Sequence, residues 1–106
     1  MRQGEVWVHD QFAGLLTENE EGYVFCYDTD YLKNDSAKAV SLTLPLQSKP
    51  FESRYMFSFF DGLIPEGWLL EIAHKNWKLN PRDRMGLLLT TCRDCIGNIS
   101  IIPVDL

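Results

Sequence analysis

No stretch of this sequence is apolar for long enough to cross a bilayer, and no basic region followed by an apolar core stands at its start. Those two absences remove the membrane-spanning and signal-peptide readings and lead to the expectation of a cytoplasmic protein with no membrane partner. Positive charge is also scarce: ten Lys and Arg stand against fifteen Asp and Glu, for a net charge of −5. The basic residues are scattered along the chain without a stripe, so a nucleic-acid groove would work against the overall field. Direct nucleic-acid binding is therefore not expected, and an acidic domain suits a protein partner with a basic surface. Cysteine occurs three times, at Cys26, Cys92 and Cys95, an odd number that makes no secreted disulfide framework. A Gly-rich phosphate loop is missing as well, since Asp61-Gly62 between apolar neighbours reads as a turn. The chain alone is not expected to bind ATP or another cofactor.

What is present fits one soluble globular domain, 1–106. A chain of 106 residues, 45% hydrophobic and 24% charged, can bury a real core without metal or disulfide staples. Its first segments alternate as strands do. Glu5-Val6-Trp7-Val8-His9 is β-branched and aromatic, His9-Asp10 marks a turn, and Phe12-Ala13-Gly14-Leu15-Leu16 follows as a second strand. Thr17 to Gly22 reads as a polar, acidic turn. Tyr23-Val24-Phe25-Cys26-Tyr27 then places Tyr23, Phe25 and Tyr27 on one face and Val24 and Cys26 on the other, which completes an antiparallel meander.

Asp28 to Lys38 is mostly polar with Tyr31-Leu32 as an apolar anchor. In Ala39-Val40-Ser41-Leu42-Thr43-Leu44-Pro45 the apolar residues recur at every second position, the pattern of a half-buried strand that Pro45 ends. Leu46 to Ser53 reads as a loop, and Arg54 to Leu63 as a helical turn or short helix. Asn80-Pro81-Arg82-Asp83 has the form of a helix start, with Asn80 as N-cap, Pro81 at the first helical position and the acidic Asp83 in the first turn, and the helix runs to about Thr91. The β-branched run Ile96 to Val104 predicts a last strand. The fold class is α+β: an antiparallel sheet of about five strands with two to three helices packed on one side.

The central stretch runs from Phe59 to Trp77. Pro65 has the fixed φ that suits the first turn of a helix, and Glu66 places a negative charge where the macrodipole favours it. At about 100° per residue, Leu69, Leu70, Ile72, Ala73 and Trp77 share an arc of roughly 160°, the core face. Trp68 lies about 40° outside that arc, on a stripe with Glu71 and Lys75. It is either a tryptophan at the rim of the core or an exposed anchor ringed by polar residues, as interface hot spots are. Trp77 and Trp7 are assigned to the core.

Enzymatic constellations are thin. Cys92-Arg93-Asp94-Cys95 has the spacing of a redox dithiol, but the pair follows a helix, whereas a thioredoxin-type pair precedes one and draws its low thiol pKa from that position. Cys26, His9 and His74 are dispersed over separate elements, so no metal site is expected. Neither histidine has a nucleophilic partner that the sequence can place beside it.

Several pieces together resemble the N-terminal subdomain of HipA-type serine/threonine kinase toxins. They are Gly14-Leu15, then Phe25 and Tyr27 followed by Tyr31-Leu32, then Ser41-Leu42-Thr43-Leu44-Pro45. The most specific piece, Phe59-Phe60-Asp61-Gly62-Leu63-Ile64-Pro65-Glu66-Gly67, comes next, and Asp94-Cys95-Ile96-Gly97-Asn98 closes the set. The family more often has Gly at the position of Cys92, Ala at Asn98 and Ser at Thr43. A HipA-type toxin continues into a kinase core, and this chain stops at Leu106. Such a copy is similar to the HipS-like antitoxins of bacterial three-component HipBST toxin–antitoxin systems.

The resemblance implies a non-catalytic antitoxin that binds and inhibits a HipT/HipA-like serine/threonine kinase toxin in trans. A HipB-like helix-turn-helix protein would bind DNA in the same complex. The residues expected at the kinase interface are Trp68, Glu71 and Lys75, with Trp68 crowding the kinase cleft. Two alternatives stay open: a structural subunit that completes the kinase and bridges it to the repressor without inhibiting, and a thiol redox protein using Cys92 and Cys95.

Overall fold

The computed structural model describes residues 2–64, 82–92 and 98–104. Along these residues the chain forms β1 (Arg2–Val8), β2 (Gln11–Asn19), β3 (Gly22–Tyr27), α1 (Thr29–Lys33), β4 (Phe51–Ser53), α2 (Ser58–Asp61), α3 (Arg84–Thr91) and β5 (Ile99–Pro103). The strands make one antiparallel sheet in the order β4-β3-β2-β1-β5. The helix predicted from Pro65 to Trp77, the pair Asn80-Pro81, Cys95, and the start of the last strand at Ile96 lie outside the described residues.

The predicted meander is present. Val6 pairs with Gly14 and Trp7 with Phe12, so Ala13 is the extra residue of a bulge. That extra residue breaks the alternation of β2, and Ala13 and Gly14 are buried in succession. The Ala13 carbonyl then accepts the Asp28 N–H at 2.8 Å, which fixes where the chain leaves β3. His9, in the β1–β2 turn, has φ 56°, a left-handed conformation that His tolerates better than β-branched residues. Its N–H bonds to the Asn98 carbonyl at 2.6 Å, so the turn also secures the chain entering β5.

The polar segment expected to turn from Thr17 to Gly22 is strand for most of its length. β2 continues to Asn19, whose side-chain oxygen accepts the N–H groups of Glu21 and Gly22 at 2.8 and 2.9 Å and closes a two-residue turn. Gly22 has φ 143°, and a Cβ there would stand 2.3 Å from the Ser53 carbonyl oxygen. Only glycine combines that backbone with the close approach of β4.

Ala39 to Pro45, expected as a strand, is a turn with one isolated bridge between Ser41 and Leu44. Val40 and Leu44 are buried as a strand pattern requires, but Leu42 is fully exposed. The reason is the set of partners the backbone finds. The Tyr27 hydroxyl accepts the Val40 N–H at 3.0 Å and donates to the Leu44 carbonyl, while the Tyr31 hydroxyl donates to the Lys38 carbonyl at 2.7 Å. The sheet edge beside β3 is taken by Phe51–Ser53, a strand inside the segment expected as loop.

The third helix also begins later than the sequence predicts. Asp83, not Asn80, is the N-cap, and its carboxylate accepts the Gly86 N–H at 3.1 Å. Arg2 grips the same carboxylate and holds it at the helix start.

The helices gather on the face of the sheet that presents Val6, Leu16, Phe25, Tyr27 and Ile101. Phe25 is central, with Tyr27, Phe60 and Phe51 at ring-centroid distances of 4.8, 5.3 and 6.4 Å. Burying each such large apolar side chain stabilises the fold by roughly 1.5–3 kcal/mol. From α3, Met85, Leu87 and Leu88 join this core. The helix packs over Gly4 of β1, where a Cβ would stand 2.8 Å from a Leu89 methyl. Trp7, assigned to the core, is on the other face. Its neighbour Val6 points inward, so Trp7 is half-buried outside, packed against Phe12 with centroids 5.8 Å apart.

Candidate partner-binding surface

Trp68, Glu71 and Lys75 lie outside the described residues, so what the structure supplies is the frame on either side of them. On the leading side, α2 carries Phe59 and Phe60 into the core and turns out through Gly62. The N–H groups of Gly62, Leu63 and Ile64 bond to the carbonyls of Ser58, Phe60 and Asp61 at 2.9, 3.1 and 3.2 Å. Ile64 is buried. On the returning side, Asp83 caps α3 and Arg84 forms an ion pair with Asp61. The two flanks of the Phe59–Trp77 stretch are thus tied together across 23 residues of sequence.

Arg2 completes the frame. Its guanidinium bonds to Asp83 at 2.9 and 2.7 Å and to Glu18 at 2.7 and 2.9 Å, so β1, β2 and the start of α3 meet at one cation. Those bonds hold the Asp83 carboxyl below the usual carboxylate range and raise the Arg2 guanidinium further above its already high value. Tyr23, beside them on the inner face, is pushed up by burial first and by Glu18 second.

Between β3, the chain after β4, and the two helices lies a cavity of about 390 Å³ lined by Tyr23, Arg54, Tyr55, Met56, Asp61, Arg82 and Arg84. Three of the ten basic residues converge there, and Tyr55 stands largely in solvent. The sequence shows these residues as scattered, because the arginines come from segments nearly thirty positions apart. An acidic chain thus gathers three arginines beside the flanks of its central stretch, with Asp61 among them and paired to Arg84.

The thiols occupy different surroundings. Cys92 is fully buried at the end of α3, with its Sγ 3.4 Å from the Leu63 carbonyl, and Cys26 is half-buried on the outer face; both are free. Among the described residues no group of three His, Cys, Asp or Glu side chains could hold a metal ion. No helix among them is long and apolar enough to cross a membrane.

Comparison with known proteins agrees with this architecture. The family model of the HipA N-terminal domain matches residues 4–102. A solved N-terminal domain of HipA toxin superposes with a TM-score of 0.78 at 30% identity, covering 99% of this chain and 94% of that one. An uncharacterised protein of Haemophilus influenzae is 32% identical over 101 residues, 95% of this chain and 92% of that protein. A putative kinase of Sinorhizobium fredii is 27% identical over 101 residues, and there the chain spans only 24% of its relative's length. By sequence and by topology, this chain belongs to the HipA N-terminal domain family.

Proposed function

We propose that this chain is a HipS-like antitoxin: a non-catalytic domain that binds a HipT/HipA-like serine/threonine kinase toxin in trans and inhibits it. One observation carries the reading. The same domain makes up 92% of the Haemophilus influenzae relative and 24% of the Sinorhizobium fredii putative kinase, so it exists both nearly by itself and attached to a far longer chain. On this reading the chain docks in trans on a kinase, where the longer relative carries the same domain in one polypeptide.

A domain found within a kinase is compatible with kinase activity, so inhibition needs an added element. Trp68 is that element in this proposal: it crowds the kinase cleft, with Glu71 and Lys75 as its polar rim, and blocks closure or substrate access. Truncating a hot-spot tryptophan costs about 2–4 kcal/mol, roughly 30- to 1,000-fold in affinity. A HipB-like helix-turn-helix protein would supply the DNA-binding function of a tripartite complex, in the cytoplasm.

The test is co-expression of the HipA-type kinase of the same genome with this chain or its Trp68→Ala variant, scoring growth. Wild type should rescue growth and the variant should not, with the fold of both unchanged. Rescue by the variant would sink the role of Trp68. Absence of rescue by a wild-type chain that still co-purifies with the kinase would show a structural subunit instead.

A further inference from the structure

The motif Ser41-Leu42-Thr43-Leu44-Pro45 has no part in the inhibitory element, and its structure sets it apart from an ordinary loop. Leu42 is fully exposed, and Leu46 is exposed nearby. Single exposed apolar residues are common on protein surfaces and call for no explanation. This one is different in how it is held. Val40 and Leu44, on either side, are buried in the core. The Leu44 N–H bonds to the Ser41 carbonyl at 3.1 Å, and the Ser41 hydroxyl meets the Thr43 hydroxyl at 3.0 Å and its N–H at 3.2 Å. Beneath them the Tyr27 hydroxyl links Val40 to Leu44, and the Tyr31 hydroxyl fixes Lys38 through both its N–H and its carbonyl, at 3.2 and 2.7 Å. The stacked Tyr27 and Tyr31 rings, with centroids 6.2 Å apart, hold both hydroxyls in place.

We propose that this turn is a docking knob, with Leu42 as its tip and Pro45 and Leu46 as its shoulder, that inserts into an apolar pocket on the kinase partner. The proposal rests on the kinase reading and adds to it a second contact, one that supplies affinity rather than inhibition. Two features favour a protein pocket as the occupant. Residues 39–48 carry no charged side chain although the chain is strongly acidic, and the centres of protein interfaces are depleted in charge in the same way. The turn is also ordered before it binds, so seating Leu42 forfeits little conformational freedom. The kinase is the partner that fits, because in the Sinorhizobium fredii putative kinase the matching domain shares a chain with three times its own length.

The test is titration calorimetry of the purified kinase of the same genome with wild type, Leu42→Asp and Leu42→Ala. Because the Leu42 side chain touches nothing in the fold, all three should melt together. Leu42→Asp should bind at least tenfold more weakly and Leu42→Ala should fall between. Hydrogen exchange supplies a second readout that needs no variant: the amides of Leu42 and Thr43 should gain protection in the wild-type complex. Wild-type binding with neither loss in the variants nor gained protection overturns the knob and leaves the kinase reading standing. Failure of wild type itself to bind overturns both. Self-association of wild type that Leu42→Asp abolishes would assign the knob to a second copy of the chain and overturn the proposal.

Discussion

Arg2 and Asp83 are joined by two parallel hydrogen bonds, Nη1 to Oδ2 at 2.9 Å and Nη2 to Oδ1 at 2.7 Å, between the first strand and the cap of the third helix. Asp83 therefore does two jobs, pairing with Arg2 and accepting the Gly86 N–H. Both side chains are more than a third exposed, so the ion pair itself contributes little, about 0–1 kcal/mol, and the cap the larger share, about 1 kcal/mol. Asp83→Ala should lower unfolding free energy by roughly 1–2 kcal/mol in urea titration, and Arg2→Ala by less.

Because Arg2 holds the Asp83 carboxyl below its ordinary value of 3.8, the linkage has a definite sign. A carboxyl with a depressed folded-state pKa contributes stability above its unfolded value and loses it as pH falls through the folded one. Asp83→Asn keeps a competent N-cap and removes only the charge. Its deficit against wild type should be visible at pH 7 in low salt, shrink as pH falls below about 4, and shrink also in high salt. A deficit that persists unchanged at pH 2 would mean that the cap geometry, not the charge, is at stake.

Tyr27 is the anchor of the exposed turn. Its hydroxyl serves the Val40 N–H and the Leu44 carbonyl, and burial pushes its pKa up. Tyr27→Phe leaves both backbone groups without their partner and should destabilise the domain by about 1–3 kcal/mol. It should also release Leu42 from its fixed position. If the knob proposal holds, kinase affinity falls although Leu42 is intact; the exchange rates of the Val40 and Leu44 amides report the release directly.

The meander was legible because its period-2 pattern is local: Tyr23, Phe25 and Tyr27 face inward on β3 as their spacing requires. Ala39 to Pro45 shows where the same logic fails. Alternation records which side chains want burial, whereas a strand also needs a neighbour for its backbone, and here two tyrosine hydroxyls from elsewhere satisfy it instead. β4 was missed for the converse reason, since three residues after Pro50 carry almost no periodicity. Membership of a strand assigns Trp7 to the core, but a strand has two faces, and the register against Phe12 puts Trp7 on the outer one. At the candidate surface, the Asp61–Arg84 pair and the convergence of Arg54, Arg82 and Arg84 arise from residues far apart in sequence, which no local pattern encodes.

Cys92 gives the sharpest test of the thiol alternative. Reactive cysteines are exposed and lie in electropositive surroundings that stabilise the thiolate, while buried ones are inert. Cys92 is fully buried at the end of α3, between Thr91 and the Leu63 carbonyl. Iodoacetamide should therefore label Cys92 in native protein only as fast as the domain opens, and at once in denaturant, as read by peptide mass spectrometry. Rapid native labelling would restore a nucleophile at this position. Cys92→Ala should cost about 1 kcal/mol of stability through the vacated space. In the kinase co-expression assay it should rescue growth as wild type does, because the proposed inhibitory contact is made by a tryptophan and not by a thiol.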